Sequence, residues 1–480
     1  MKALKTIAIL LLSALLLVPA LTFAEDSEVP YQTYTYDKWN NPTPTPNAYL
    51  PTRSIGGAQL GCGNFNGAQD LFYSAARHEL YVVDSGNARI LILNEDFSLK
   101  TELTELKDPG GEPYVLKNPQ GVFVQDNGTV YICDMGNQQV VEADAEGNLV
   151  RILPTPESPL LPDNFNYLPI KIVVDENGRI YILSRGVYQG LIYLEPDGTF
   201  IKFFGANEVE MTFGRQVQKL WKSILSDKAA ASMQSFNPIE YSNLFMSGEG
   251  YIFATAAGSE NGAKVVTMLN PLGINVLPWT NAGTTVLFSD VFEKDGIITL
   301  LDTNGGQIIQ TTVQQSRGNS MQITFGGIGQ QVGLFQKAVS MVEMNDNLYV
   351  LDAEKNTITE FVLTAFGREI REAITLYNQG LYVESIEPWE KVVRHNSNYL
   401  PGYTGLGKAY YQLNDYETAM YYFKLAGDRQ NYSLAFKEHS LIVMRDAFPY
   451  VATALIVLVI GALILGHILK KKKRKEARHA

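Results

Sequence analysis

A short apolar phrase that returns about every fifty residues, a switch to helical spacing after residue 363, and a terminal apolar run followed by lysines together set the fold class. They predict a mainly β chain: a six-bladed β-propeller, then an array of α-helical hairpins, then one transmembrane helix. The phrase reads Tyr81-Val82-Val83-Asp84-Ser85-Gly86-Asn87 and Tyr131-Ile132-Cys133-Asp134-Met135-Gly136-Asn137. Fainter copies end at Ser184, Thr255, Asp302 and Asp352, so the six markers are spaced by 50, 50, 71, 47 and 50 residues. That period, built of short apolar strands, is what propeller blades require.

The elements follow in order. Lys2 and Lys5 precede an apolar run from Ile7 to Val18, and Thr22-Phe23-Ala24 offers small residues for cleavage. Residues 1–24 are therefore expected to be a secretory signal peptide. Residues 25–59 are an aromatic and Pro-rich lead-in. A ring of blades has to close, and the closing strand is expected from the Tyr31, Tyr34, Tyr36 stretch or from Arg53 to Ile55. The blades occupy 60–363. Each has a first strand (Gln69-Asp70-Leu71-Phe72, for example) and a hairpin turn such as Asp126-Asn127-Gly128, Lys294-Asp295-Gly296 or Asn345-Asp346-Asn347. The recurring phrase is the second strand, and Arg89–Leu93 and its counterparts form the third. Asn-Gly and Asp-Gly supply the positive φ of tight hairpins.

The long step of 71 holds an insertion at about 207–237, where Val217, Leu220, Trp221, Ile224 and Leu225 share one face at helical spacing. From 364 to 446 two segments repeat at 34 residues: Ala373, Gly380, Ser385, Trp389 and Val392 correspond to Gly407, Asn414, Ala419, Phe423 and Ala426. A capping helix is expected from about Tyr432 to Met444, ending before Pro449. Tyr450 to Leu469 is twenty residues without a formal charge, enough at 1.5 Å per residue to cross a bilayer core of about 30 Å. The basic run Lys470–Lys475 follows and opens a tail, 470–480, that belongs on the cytoplasmic side. The predicted localisation is the cell membrane, single-pass, with the N-terminal ectodomain outside.

The phrase Tyr81 to Ile90 resembles an NHL repeat, the blade unit of a family of six-bladed propellers, and Tyr131 to Val140 matches nearly as well. With its sequel Asn237 to Leu244, the insertion resembles bacterial secreted NHL proteins of the Gram-positive type. The small and large residues of the 34-residue repeat resemble a tetratricopeptide repeat. The NHL resemblance implies that the phrase's Asp and Asn bond backbone groups, so Asp84, Asp134, Asp302 and Asp352 are expected to be structural.

The formal charge of −11 conceals +2 in the leader and +6 in the tail, which leaves −19 for the ectodomain. Such a surface excludes nucleic acid as a partner and favours cations. Cys62 and Cys133 are the only cysteines, and the five histidines do not cluster. No nucleophile elbow, zinc-protease helix or phosphate loop occurs.

The openings of the innermost strands should meet around the propeller axis. They are Asp70, Gly121, Lys171, Asn243, Asp290 and Ser340, and the polar five are the channel-mouth ligand candidates. Oxygen ligands of this kind suit Ca²⁺ or another divalent cation, with Asp70, Asn243 and Asp290 as its candidate ligands. Similarity to six-bladed lactonases and lyases implies a central metal of this sort, but Lys171 would repel a cation. Trp221, Trp389 and Tyr403 are the partner-binding candidates. The favoured reading is a membrane-anchored extracellular scaffold, not an enzyme, that binds a protein, peptide or glycan, near transport or cell-envelope machinery. The alternative is an extracellular metal-dependent hydrolase, lactonase or lyase with its site at the channel mouth.

Overall fold

A computed structural model describes residues 29–37, 39, 41–157, 161, 165–205, 240–258, 265–277, 286–313 and 323–479. The expected leader and the insertion with Trp221 lie outside them. The chain forms a six-bladed β-propeller followed by α-helices. Blades one to three are four-stranded antiparallel sheets starting at Asp70, Pro119 and Pro169. Blade four has strands Tyr241–Met246, Ile252–Gly258 and Val266–Leu269, and blade five opens with Val286–Lys294. Blade six comprises Ala338–Met344, Asn347–Asp352 and Thr357–Leu363, and its outermost strand is Tyr49–Gly56.

Both lead-in segments therefore become strands, in different blades. Tyr49–Gly56 closes the ring, whereas Tyr34–Tyr36 pairs with Ile323–Gly326 at the edge of blade five and carries Pro42–Pro44 outside it. Two prolines on that last strand remove donors that another chain would need for pairing.

The recurring phrase is the second strand of every blade. Its strands in blades one and five, Glu79–Asp84 and Ile297–Asp302, are buried at every position because neighbouring blades cover both faces. The hairpin before it turns as its sequence demands. Asn345 and Asp346 have φ of 52° and 64°, left-handed values that short polar side chains tolerate.

The marker residues tie each second strand to the segment that enters its blade. Asp84 accepts from Asn66 N (2.8 Å), Asn87 Nδ2 (2.8 Å) and Arg89 Nε (2.8 Å). Asp134 accepts from Asn118 N at 2.9 Å, Asp302 from Leu287 N at 3.2 Å and Asp352 from Gln336 N at 2.6 Å. The degenerate copies also bond the entering segment. Ser184 Oγ accepts from Leu168 N (3.1 Å), and Thr255 Oγ1 lies 2.9 Å from Ser242 Oγ. Cys62 and Cys133 are buried and unbridged.

Helices α1 (Ala365–Asn378), α2 (Tyr382–His395), α3 (Leu400–Gln412), α4 (Tyr416–Ala426) and α5 (Arg429–His479) complete the chain. Thr364 caps α1, its hydroxyl accepting from Gly367 N and donating to Asn47 O. The 34-residue repeat reappears as geometry. Gly380 and its equivalent Asn414 both take left-handed φ, 80° and 62°. Trp389 packs over Gly405 and Phe423 over Gly407, where a Cβ would meet the ring at 2.3 Å and 2.6 Å. The helices share one core with blades five and six, in which Tyr49, Phe325 and Phe361 meet Phe366, Ile370 and Trp389.

The sequence suggested a break before Pro449. Instead α5 runs through it. Proline removes one N–H and crowds the carbonyl four residues back, which strains a helix without having to end it. The part of α5 from 429 to 471 is long and apolar enough to cross a membrane, and none of its most apolar stretch is buried.

Candidate functional site

The structure brings Asp70, Lys171, Asn243, Asp290 and Ser340 together, one from each of five blades. Five of the six inner strands carry a register shift just before this level, at Pro119/Gly121, Pro169/Lys171, Tyr241/Asn243, Phe288/Asp290 and Ala338/Ser340. A bulge of this kind takes backbone groups out of the ladder and re-aims the side chain beside it. Backbone N–H groups at this level are met by side-chain acceptors from neighbouring blades. Asp70 Oδ2 accepts from Val122 N of the next blade (3.1 Å), Asp290 Oδ2 from Met341 N (2.7 Å) and Ser340 Oγ from Leu71 N (3.1 Å). Asn243 Oδ1 accepts from Leu244 N (2.5 Å).

The side chains also bond one another. Ser340 Oγ is 3.1 Å from Asp70 Oδ1 and 2.9 Å from Asp290 Oδ2. Asn243 Nδ2 donates to Asp290 Oδ1 at 2.7 Å. Lys171 Nζ reaches past the side-chain-free Gly121 to donate to Asp70 Oδ1. A Cβ at Gly121 would lie 2.4 Å from Ile170 O, so this gap is fixed by backbone contact.

Asp70, Asn243, Asp290 and Ser340 are all 5% exposed or less. Burial pushes the Asp290 carboxyl up to about 6; Lys171 opposes that shift and Asp70 reinforces it. Among the described residues no group of three His, Cys, Asp or Glu side chains is placed to hold a metal ion. The carboxylate oxygens of Asp70 and Asp290 are already engaged, and Lys171 supplies the positive charge a cation would have brought. This ring joins blades. Its polar groups are bonded to one another and to backbone N–H groups of neighbouring blades.

The roomier site lies at the other end of the inner strands. Asp290 and Lys294 are four residues apart on one strand, a rise of about 13 Å at about 3.3 Å per residue. There the first hairpin turns of blades four and five face α1, α2 and α3 across a cleft of about 720 Å³. The docking is specific. Arg371 on α1 pairs with Glu343 and, at 3.4 Å, with Asp346, and Asn378 Nδ2 donates to Asp295 O at 3.0 Å.

Glu249, Glu293 and Asp295 line the propeller wall. Thr404, Lys408 and Gln412, four residues apart along α3, line the opposite wall, with Tyr377 and Tyr382 between. Lys294 is occupied by Glu343 at 2.7 Å. Lys408 makes no ion pair among the described residues, and burial pulls its ammonium below the ordinary lysine value against the opposing charge of Asp428. Burial, supported by the charges of Glu249 and Asp295, pushes Glu293 up.

Of the partner-binding candidates, Trp389 is on the cleft wall but only 5% exposed, and Tyr403 sits half-buried on α3 away from the cleft. The acidic turns and the spacing of Thr404, Lys408 and Gln412 are visible in the sequence. Their confrontation is not, because it depends on where α1 docks.

The chain matches no protein-family model, and no curated protein resembles it in sequence. It is similar in structure to virginiamycin B lyase from Staphylococcus aureus, at 10% identity over 66% of this chain and 100% of that one, with a TM-score of 0.41. A streptogramin B lyase gives 9%, 66%, 100% and 0.40, and hydrazine synthase of Kuenenia stuttgartiensis gives 11%, 63%, 97% and 0.38. These likenesses say nothing of substrate or activity in this chain.

Proposed function

We propose that this chain is a membrane-anchored extracellular scaffold that binds a polypeptide partner in the cleft between propeller and helices. The cleft is the observation that carries the reading. It is large, walled by two units that share one core, and lined by charged and tyrosine side chains. The axial ring, by contrast, spends its polar groups on the blades. The apolar stretch of α5 and the lysines after it support the membrane anchor, and the leader-like start of the sequence supports an outward ectodomain.

Site-specific photocrosslinking in the native membrane tests this. A photoreactive amino acid replaces Tyr382 in the cleft or, as control, Tyr188 on blade three, which is 40% exposed. A discrete adduct at Tyr382 alone is the expected result. Equal adducts at both positions, or none at Tyr382, would remove the cleft from the function. Lactone or ester hydrolysis lost in both Asp70→Ala and Asp290→Ala would favour an enzyme instead.

A further inference from the structure

We infer that the cleft selects short peptide segments by charge at both ends, holding an ammonium group against Glu249, Glu293 and Asp295 and a carboxylate against Lys408. This rests on the cleft being the binding site and adds the class of its ligand.

Three observations converge. First, the propeller wall carries three carboxylates, and the lysine on the same wall, Lys294, is already committed to Glu343. Burial is the main cause that pushes the Glu293 carboxyl up, a backbone bond from Gly296 opposes it, and the charges of Glu249 and Asp295 add to it. A bound cation relieves it. Second, the helical wall carries one ammonium, Lys408, half-buried and without an ion pair among the described residues. An anion there restores the charge partner that burial makes costly to lack.

Third, the two walls enclose a space of the size a ligand needs. The cavity, about 720 Å³, falls within the roughly 300–1,000 Å³ of pockets that enclose drug-sized ligands. Tyr377 and Tyr382 between the poles give apolar surface and hydroxyls to the middle of such a chain. The two poles stand on different structural units, so a ligand with both charges bridges them.

The experiment is calorimetric titration of the full chain in detergent with trialanine and trileucine, each with free termini, N-acetylated, or C-amidated. With free termini, at least one tripeptide is expected to bind at micromolar to millimolar concentration. Either cap should weaken it about tenfold or more, and raised salt should weaken it further. The variants assign the poles. In Glu249→Gln/Glu293→Gln the acetyl cap should cease to matter, and in Lys408→Met the amide cap should cease to matter.

Equal affinity for capped and free peptides overturns the charge assignment while leaving the cleft as a partner surface. Absence of binding by both free tripeptides also overturns it, and the Tyr382 crosslink then decides separately whether the cleft has any partner. The capping comparison on the unaltered chain stands even if a variant fails to fold.

Discussion

Asp290 shows how one side chain is given its role by its surroundings. Its two oxygens accept from Asn243, Val291, Ser340 and Met341, and it is buried. The carboxyl titrates at about 6 in the folded chain, above its ordinary value of 3.8. Between those values the folded chain keeps a proton that the unfolded chain releases. Its stabilising contribution is therefore complete below about pH 3.8 and is lost as the pH rises through about 6, by about 3 kcal/mol at most. Asp290→Asn should flatten the unfolding midpoint of the full chain between pH 4 and pH 7. It should also lower stability, by about 1–3 kcal/mol at pH 7 and by more in acid, because an amide turns a donor toward an N–H. Denaturant titrations at half-unit pH steps check this; parallel profiles for variant and parent would assign the titration elsewhere. Glu79 runs the other way. Burial alone would raise it, but bonds from Arg77, Lys100 and Tyr81 bring it down to about 2, so its contribution is full above pH 4.5 and is lost as the pH falls from there through about 2.

At the scale of elements, the helical pairs are held by missing side chains as much as by present ones. Trp389 lies on the backbone of Gly405, and Gly405→Ala would place a methyl group 2.3 Å from Trp389 Cε2. The ring is wedged in the core and has nowhere to move, so the substitution should destabilise α2 and α3 by about 1–3 kcal/mol. Protection of their amides from hydrogen exchange would fall while that of blades one to three is kept; unchanged protection in both would mean that the helices slide apart freely. The helical repeat could be read from spacing because the same residue types return 34 positions on, Gly380 as Asn414 in the turn and Trp389 as Phe423 in the core. Blade boundaries were legible for the same reason, and so were the six axial positions, since each follows from one strand of a repeated unit. Lys171 was legible as a charge at the axis, but its pairing with Asp70 depends on the gap at Gly121 in the blade between them. The cleft was hidden for a stronger reason. Lys408 and Glu293 belong to different periodicities, and the docking of α1 through Arg371, Asn378 and the shared core sets them face to face. No local pattern reports a contact of that range.

For the molecule as a whole, blades five and six share one core with α1, α2 and α3. Phe325, Phe335 and Phe361 are at most 1% exposed, and they share their core with Phe366, Ile370 and Trp389 of the helices. A fragment ending at residue 363 would turn that apolar face to water. It is expected to precipitate, or to unfold at least several degrees below a fragment ending at residue 446. Differential scanning calorimetry of the two fragments checks this, and equal transitions would make the propeller autonomous.

The seam between Tyr49–Gly56 and Thr357–Leu363 imposes an order on biosynthesis. Gly56 pairs with Thr357, so about 300 residues must be made before the first strand finds its partner. At about 5–20 residues per second that is a wait of roughly 15–60 s. Throughout it the early strand is an unpaired edge, the kind of template on which nascent chains associate. Pro51 and Arg53 within that strand break its run of donors and place a charge on it, which makes it a poor partner for anything but the last blade.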